Sequence, residues 1–551
     1  MGYNVERTMY QGFADSVKER GNHDCIYFYG ATLSWNEFGK MVDLCAAGMV
    51  KNGVKAGDRV VICGPNIPQI IGAVYAVNKI GAIGCMLHPL SVKTEIEHAV
   101  TLTGAKFAYC FDVSEKGFDG MDVTLIKCRT DQYFEKTLIG KIRSIGYHKK
   151  IQGKTADAHV KKKMDWAELL TEGEAYLGKN KVEAASDPHA VSSIMFTGGT
   201  TGLPKGVQLT NYAINNLSYE LFAVINDNFD KDKDGMLTAL PVFHGFGYAL
   251  CMHVSMLAGI AQAIFPTFDA RACSRAIAKH HLNFIFGVPD FFEKVYKAGY
   301  LNKIDMSHFK LIGSGGDVVP ATLTAKMDEL LQKNGAKTHF VTGYGLTECV
   351  TVCSFTDPSR PAKPGCIGQT CYNIEAITVK PGTTEEVRGE DGELCIYGPT
   401  LMEGYYNDPE ETQKMLIEHE DGKVWLHTGD MCYIDEIKDI YYRQRLKRVF
   451  KISGYLVYPS FIEETMRNMK EVYDCCVVSV EKDGKTTLKL YVVKHKRFFS
   501  EGEEELTQKI LKFADANLSK WSVPREVEYI DELPRTKIGK VDFKVLQAMN
   551  Q

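Results

Sequence analysis

Four apolar runs, mostly β-branched or aromatic, each stop at a glycine: Val60-Val-Ile-Cys-Gly64, Phe284-Ile-Phe-Gly287, Lys310-Leu-Ile-Gly313 and His339-Phe-Val-Thr-Gly343. Short runs that are apolar on both alternating sets of side chains suit strands buried on both faces. Helical patterns lie between them, such as residues 211–224, with Thr210 or Asn211 as the N-cap. Strands alternating with helices fold into mainly parallel sheets covered by helices, an α/β architecture. Function in such sheets gathers in loops beyond the carboxyl ends of the strands.

At 551 residues the chain is too long for one hydrophobic core, so at least two domains are expected. The texture changes after about Arg445. Pro459 opens a short helix over 459–466, two alternating strands follow at 472–480 and 486–493, and Ser500 and Glu503 have capping-box spacing ahead of a helix over 506–518. The expected division is therefore a domain of residues 1–445 and a compact α+β domain of residues 446–551.

The most chemically pointed stretch is Met195-Phe-Thr-Gly-Gly-Thr-Thr-Gly-Leu-Pro-Lys-Gly-Val207. Glycines let backbone N–H groups turn inward, and threonine hydroxyls add donors. Thr197, Gly198, Gly199, Thr200, Thr201 and Gly202 thus form a candidate phosphate nest, with Lys205 as its counter-charge. The Gly-Lys-Ser/Thr ending of a Walker loop is missing.

This loop resembles the signature of the adenylate-forming superfamily: acyl- and aryl-CoA synthetases, luciferases and amino-acid adenylation domains. The resemblance continues in order through Leu240-Pro-Val-Phe-His-Gly-Phe246, Gly313-Ser-Gly-Gly-Asp317, Tyr344-Gly-Leu-Thr-Glu348, Thr428-Gly-Asp430, Arg445-Leu-Lys447 and Pro534-Arg-Thr-Lys-Ile-Gly-Lys540. It implies a large N-terminal adenylating domain, a small mobile C-terminal lid with its hinge near Lys447, and ATP, Mg²⁺ and coenzyme A as cofactor and co-substrates. Each block then has an implied role. The loop at 197–205 grips the leaving pyrophosphate, Thr347 contacts the α-phosphate, and Glu348 helps hold the metal. Tyr344 lies against adenine, with Gly315, Gly316 and Asp317 along its edge, while Asp430 and Arg445 hold the ribose. Lys540 bridges carboxylate and phosphate oxygens during adenylation. Ser453, Gly454 and Tyr455 line the thiol path. Arg448 and Leu456 depart from the usual pattern, so the resemblance does not carry over the thioester-stage contacts at these positions, while the adenylation chemistry it implies is untouched.

His244 stands where amino-acid adenylation domains carry an aspartate for the substrate's ammonium, so an acid without an α-amino group is implied. Phe243, Phe246, Tyr248 and Phe286 indicate an apolar pocket for an alkyl or aryl acid. The expected activity is an ATP-dependent acid–CoA ligase, on a medium- or long-chain fatty acid by similarity to bacterial enzymes. An aryl-CoA ligase and a ligase loading a separate carrier protein are alternatives. A non-catalytic AMP sensor would be expected to lack Lys540, Glu348 or Lys205, and all three are present.

The remaining features narrow the class. The net charge of −4 carries no basic stripe that would speak for nucleic acid. From Met236 to Phe268 there is no charged residue, but Pro241 and several glycines break that stretch, so a strand followed by a core helix is expected rather than an integral membrane span. Sixteen cysteines without a Cys-x-x-Cys pair, and no leader-like start, are expected to be reduced thiols of a cytoplasmic protein. The segment Asp230-Lys-Asp-Lys-Asp-Gly235 copies half an EF-hand loop, but its twelfth position is Pro241. There is no Gly-x-Ser-x-Gly elbow.

Overall fold

The structure is a computed structural model describing residues 4–197, 204–225, 228–452, 455–482, 485–498, 502–536 and 541–550. Its chain divides into two units, one of residues 1–363, 367–376 and 396–426, the other of residues 364–366, 377–395 and 427–551.

The first unit is built on the expected buried strands. One sheet runs in the order Gly404–Tyr405, Lys205–Thr210, Val191–Thr197, Ile83–Leu87, Arg59–Cys63, Phe107–Phe111, Thr124–Cys128 and Lys162–Asp165. It is parallel from Val191–Thr197 to its far edge, and antiparallel at the first two pairings. In a second sheet Asp24–Phe28, Ala261–Ile264, Gly235–Thr238, Phe284–Gly287, Leu311–Ser314 and Phe340–Tyr344 lie side by side, all parallel. The helix Pro68–Ile80 is buried on every side, as its nearly continuous apolar composition requires. Its buried polar residues are anchored: Gln69 donates to the Arg129 carbonyl at 2.8 Å, Asn78 donates to Asn211 at 2.7 Å, and Lys79 pairs with Asp43 at 2.7 Å. The helix Asn211–Val224 starts where expected, with the Thr210 hydroxyl accepting the Ala213 N–H at 3.0 Å.

The uncharged stretch resolves into the strand Gly235–Thr238, a π-helix Phe246–His253, the short helix Val254–Ala258 and the strand Ala261–Ile264. No described helix is long and apolar enough to cross a membrane. The EF-hand-like aspartates serve as anchors, since Asp234 takes Lys310 at 2.6 Å and the Asn283 amide.

The π-helix ends on the fully buried His253. Its Nδ1 lies 2.9 Å from the Tyr75 hydroxyl and its Nε2 2.8 Å from Asn215 Oδ1. Asn215 spends its amide N–H groups on the Val5 and Arg7 carbonyls, so Nε2 must donate and Nδ1 must accept, which only neutral imidazole can do. Burial, with the Arg7 charge adding to it, pushes this imidazole down to about 3. Below the ordinary value near 6.5 the unfolded chain binds a proton that the folded chain refuses. Stability is therefore lost as pH falls from about 6.5 toward 3, by about 2 kcal/mol at pH 5 for this group. The difference in urea stability between pH 7 and pH 5 is expected to shrink by about that amount in His253→Gln. An unchanged difference would mean that another group carries the acid sensitivity.

The second unit has its own small core. Val472–Lys482 and Lys485–Lys494 form an antiparallel pair, joined in parallel by Glu526–Tyr529, with helices Pro459–Arg467 and Glu503–Asn517 packed with them. Pro459 is the first helical residue, as expected. The helix at 503 has Gly502 as its N-cap instead of Ser500, which lies outside the described residues. Cys475 and Cys476 enter different core clusters, as alternation on a strand demands. All sixteen cysteines are buried, and none is joined in a disulfide.

Candidate active site

The glycine-rich loop is the connection of a hairpin. Thr197 ends the strand Val191–Thr197, and Lys205 opens the return strand directly opposite it. Around Lys205 the first unit assembles a chain of polar contacts. Its ammonium pairs with Glu411 and lies 5.1 Å over the Tyr405 ring. Lys205, with Lys414 behind it, holds the Glu411 carboxyl down at about 2, so this carboxylate stays ionised through the neutral range. Tyr405 is placed by register, since the strand Gly404–Tyr405 pairs with Lys205–Thr210 and sets Tyr405 against Val207. Its hydroxyl donates to Glu348 Oε1 at 2.7 Å. Burial, with the Glu348 charge beside it, pushes the phenol well above its usual range, so it remains a donor at neutral pH. The Glu348 carbonyl in turn accepts the Met402 N–H at 2.9 Å.

Neighbouring strands supply the second half of this unit's constellation. Gly287 pairs with Ser314, and Ser314 with Thr342, so the loops carrying Gly315–Asp317 and Gly345–Glu348 leave adjacent carboxyl ends. Gly316 has φ +78°, a left-handed conformation that favours glycine. A Cβ on Gly345 would stand 1.7 Å from the Thr351 carbonyl oxygen, so only glycine fits there. Two residues beyond Glu348, buried Val350 is held at φ +67°, which costs a β-branched residue of the order of 1–3 kcal/mol. The clamp holding it includes Gly245, whose Cβ would meet the Val350 carbonyl oxygen at 2.0 Å. Phe246 lies over the glycine loop, 3.7 Å from the Cβ positions of both Gly315 and Gly316.

Thr197, Lys205 and Glu348 are therefore linked through Tyr405 and Glu411, and the His244 block is wedged against both the Gly315 and Glu348 loops. His244 Nδ1 accepts the Phe246 N–H at 3.3 Å. Thr347 and Tyr344 are half-buried, and Asp317 is exposed, its carboxylate accepting the Val318 N–H at 2.9 Å. Phe246 and Phe286 share one core, with ring centroids 6.3 Å apart. Tyr248 faces elsewhere: it is fully buried in a separate core, 3.7 Å from the Met9 sulfur, so it does not join the apolar surface expected for it.

In the second unit Asp430 and Arg445 are direct cross-strand partners, with Arg445 Nε 3.0 Å from Asp430 Oδ1. The Thr428 hydroxyl accepts the Asp430 N–H at 3.1 Å and donates to the Leu394 carbonyl at 2.7 Å, which fixes the turn. Arg445 begins the short 3-10 turn at 446–448. Gln444 spans that turn, donating to the Arg448 carbonyl and accepting from Ser460 N–H at 2.8 Å. Arg448, the departure noted in the sequence, runs into this unit's interior, pairs with Glu463 and lies 4.8 Å over Phe543. Gly198, Gly199, Thr200, Thr201, Gly202, Ser453, Gly454 and Lys540 lie outside the described residues, as do the side chains of Lys447, Tyr455 and Leu456.

The family described as AMP-binding enzyme matches residues 13–406, and the AMP-binding enzyme C-terminal domain matches residues 462–540. A long-chain-fatty-acid–CoA ligase of Bacillus subtilis (strain 168) is 29% identical over 97% of this chain and 93% of its own. 4-Coumarate–CoA ligase 2 of Petroselinum crispum is 25% identical over 97% of this chain and 92% of its own. Among solved structures, ATP-bound MatB from Rhodopseudomonas palustris superposes with a TM-score of 0.80 at 22% identity, covering 99% of both chains. The o-succinylbenzoate coenzyme A synthetase of Bacillus subtilis in complex with AMP gives 0.75 at 21% identity, with 96% of each chain covered. These structures share the fold: a large domain of mainly parallel sheets and helices, and a smaller C-terminal one.

Proposed function

Because the chain belongs to the AMP-binding enzyme family, we propose that it is an AMP-forming acid–CoA ligase acting on a medium- or long-chain fatty acid. In the first step a carboxylate oxygen attacks the α-phosphorus of ATP and the bond to pyrophosphate breaks, leaving acyl-AMP. In the second the CoA thiol attacks the acyl carbon, AMP leaves with the bonding pair, and acyl-CoA is formed.

The chemistry sets one anion against another, so catalysis rests on holding and neutralising charge. Thr197 and Lys205 open and close the pyrophosphate loop, with Thr200 and Thr201 between them. Lys205 exchanges its Glu411 partner for phosphate oxygens. Glu348 suits Mg²⁺: with Oε1 accepting from Tyr405, a carboxylate keeps lone pairs for a hard cation, and the ion would neutralise phosphate charge. Thr347 serves the α-phosphate, Tyr344 and the Gly315–Asp317 loop the adenine, and Asp430 with Arg445 the ribose. Rotation about Lys447 exchanges Lys540 for the segment bearing Ser453, Gly454 and Tyr455, which lines the thiol path. Cytoplasmic location fits buried thiols outside any disulfide and the need for ATP and CoA.

The substrate class rests on one observation above all. The Phe243–Phe246 block packs an aromatic ring on the Gly315–Gly316 loop and carries His244 where a cation-pairing aspartate would serve an amino acid. That favours an apolar tail with no α-amino group. The plant 4-coumarate ligase relative supports a second reading, an aryl acid. The two separate in a comparison of kcat/KM for CoA-dependent pyrophosphate release with octanoate, palmitate, benzoate and 4-coumarate. Highest efficiency on a fatty acid is expected, and highest efficiency on an aryl acid would replace the first reading by the second.

Tyr405 acts as a positioning residue through Glu348. Tyr405→Phe is expected to lower kcat for adenylation about ten- to a hundredfold, the worth of one hydrogen bond to a charged group. The KM for the acid should hold, and the loss should ease at raised Mg²⁺. A change of less than about twofold would remove Tyr405 from the machinery.

A further inference from the structure

Residues 136–156 contain six lysines and arginines and no acidic residue, in a chain whose net charge is −4. Most of this stretch is the helix Leu138–Ile151, which begins at Thr137, whose hydroxyl accepts the Gly140 N–H at 3.2 Å. A helix lying on a protein normally turns its apolar stripe inward. This one is inverted. Its inward residues recur at helical spacing and are largely polar. Arg143 pairs with Glu135 at 2.8 Å, Ser144 donates to Asp131 at 2.6 Å, and Tyr147 donates to buried Asp112 at 2.7 Å. These contacts seat the helix firmly by its polar side.

The outward side carries the aliphatic residues. Leu138, Ile139, Ile142 and Ile145 are 73%, 61%, 61% and 59% exposed, the largest run of exposed aliphatics on one described helix. Positions 138, 142, 145 and 149 fall on one line of a helix, so the stripe runs straight into Lys149. Lys141 and His148 flank it on one side and Lys150 on the other, all exposed.

We infer that this helix docks the protein on an anionic lipid surface, its aliphatic stripe entering the headgroup boundary and its lysines reaching lipid phosphates. The charge pattern selects this occupant. A stripe edged by cations on both sides and at its end matches a surface that offers an apolar layer beneath a sheet of negative charge. Lysine stems add to the apolar contact while their ammonium groups stay at the phosphates. A second copy of this chain would oppose lysines to lysines across the same seam, which disfavours self-association. The helix has no part in the adenylating machinery, so the inference stands whichever acid is activated.

The test is co-sedimentation of the full-length protein with phosphatidylcholine vesicles and with vesicles mixing phosphatidylcholine and phosphatidylglycerol. Two variants accompany it, Ile142→Ser with Ile145→Ser, and Lys141→Gln with Lys149→Gln and Lys150→Gln. All the altered residues are exposed, so activity on a short, water-soluble acid should be unchanged. The wild type is expected to bind the anionic vesicles preferentially, more weakly as salt is added, with partitioning reduced about tenfold or more in each variant. Equal binding to both vesicles, wild-type binding by either variant, or a lipid-free dimer that both variants dissociate would each overturn the inference.

Discussion

Lys540→Ala is expected to lower acyl-adenylate formation by 100- to 1000-fold, about 2.7–4 kcal/mol of transition-state stabilisation, while thioester formation from supplied acyl-adenylate continues at close to the wild-type rate. The asymmetry follows from the charge involved. Adenylation joins two anions and develops further negative charge between them, so a cation bridging carboxylate and phosphate oxygens is worth more in the transition state than before it. The second half-reaction begins with a neutral acyl carbon and a mixed anhydride whose AMP already leaves readily, so it makes little use of the same cation. The measurement is single-turnover kinetics of the two halves separately. An equal loss in both would mean that Lys540 supports the small domain or its movement rather than the first chemical step.

The second large effect concerns stability. Arg448 and Glu463 form an ion pair with side chains 16% and 7% exposed. Glu463 also accepts the Val477 N–H at 2.7 Å, and Arg448 reaches the Val477 carbonyl at 3.4 Å, so the pair ties the turn at 446–448 to the strand Val472–Lys482. Two buried charges do not add much net stability over an apolar pair, because desolvation offsets their attraction. Removing one of them is different, because it strands the other. Arg448→Ala is therefore expected to destabilise the C-terminal unit by about 3–5 kcal/mol, read as a lowered urea midpoint for that unit. The double variant Arg448→Met with Glu463→Leu should recover most of the loss. A loss below about 0.5 kcal/mol in the single variant would show that water or Val477 already satisfies Glu463.

The strands Arg59–Cys63, Phe284–Gly287 and Phe340–Tyr344 were legible because burial leaves an unbroken apolar run and a glycine stands at or next to the exit. The start of the helix at Asn211 was legible because Thr210 is a cap with a mechanism. The π-helix at 246–253 was not, since a segment apolar all round has no period to betray its turn. Ser500 has the spacing of a capping box, yet the cap falls on Gly502, where spacing alone cannot choose between adjacent candidates. Tyr248 looked like part of an apolar wall beside Phe246, but a two-residue offset on a helical turn aims it into another core. Lys205, Thr347 and Glu348 stand in motifs and could be named from sequence. Tyr405 and Glu411 could not, because each owes its place to strand register and to a helix N-terminal turn far along the chain. Arg448 reads as a missing acid in a linear pattern, and only the folded unit gives it a partner.

The most direct test of the account is product identity. Purified protein is incubated with ATP labelled at the α-phosphate, Mg²⁺, CoA and palmitate, and nucleotides and thioesters are quantified together. Label recovered as AMP, with pyrophosphate and palmitoyl-CoA formed in equal amounts and all three dependent on the acid, is the predicted result. Label recovered as ADP, or AMP and pyrophosphate formed with no thioester, would contradict it.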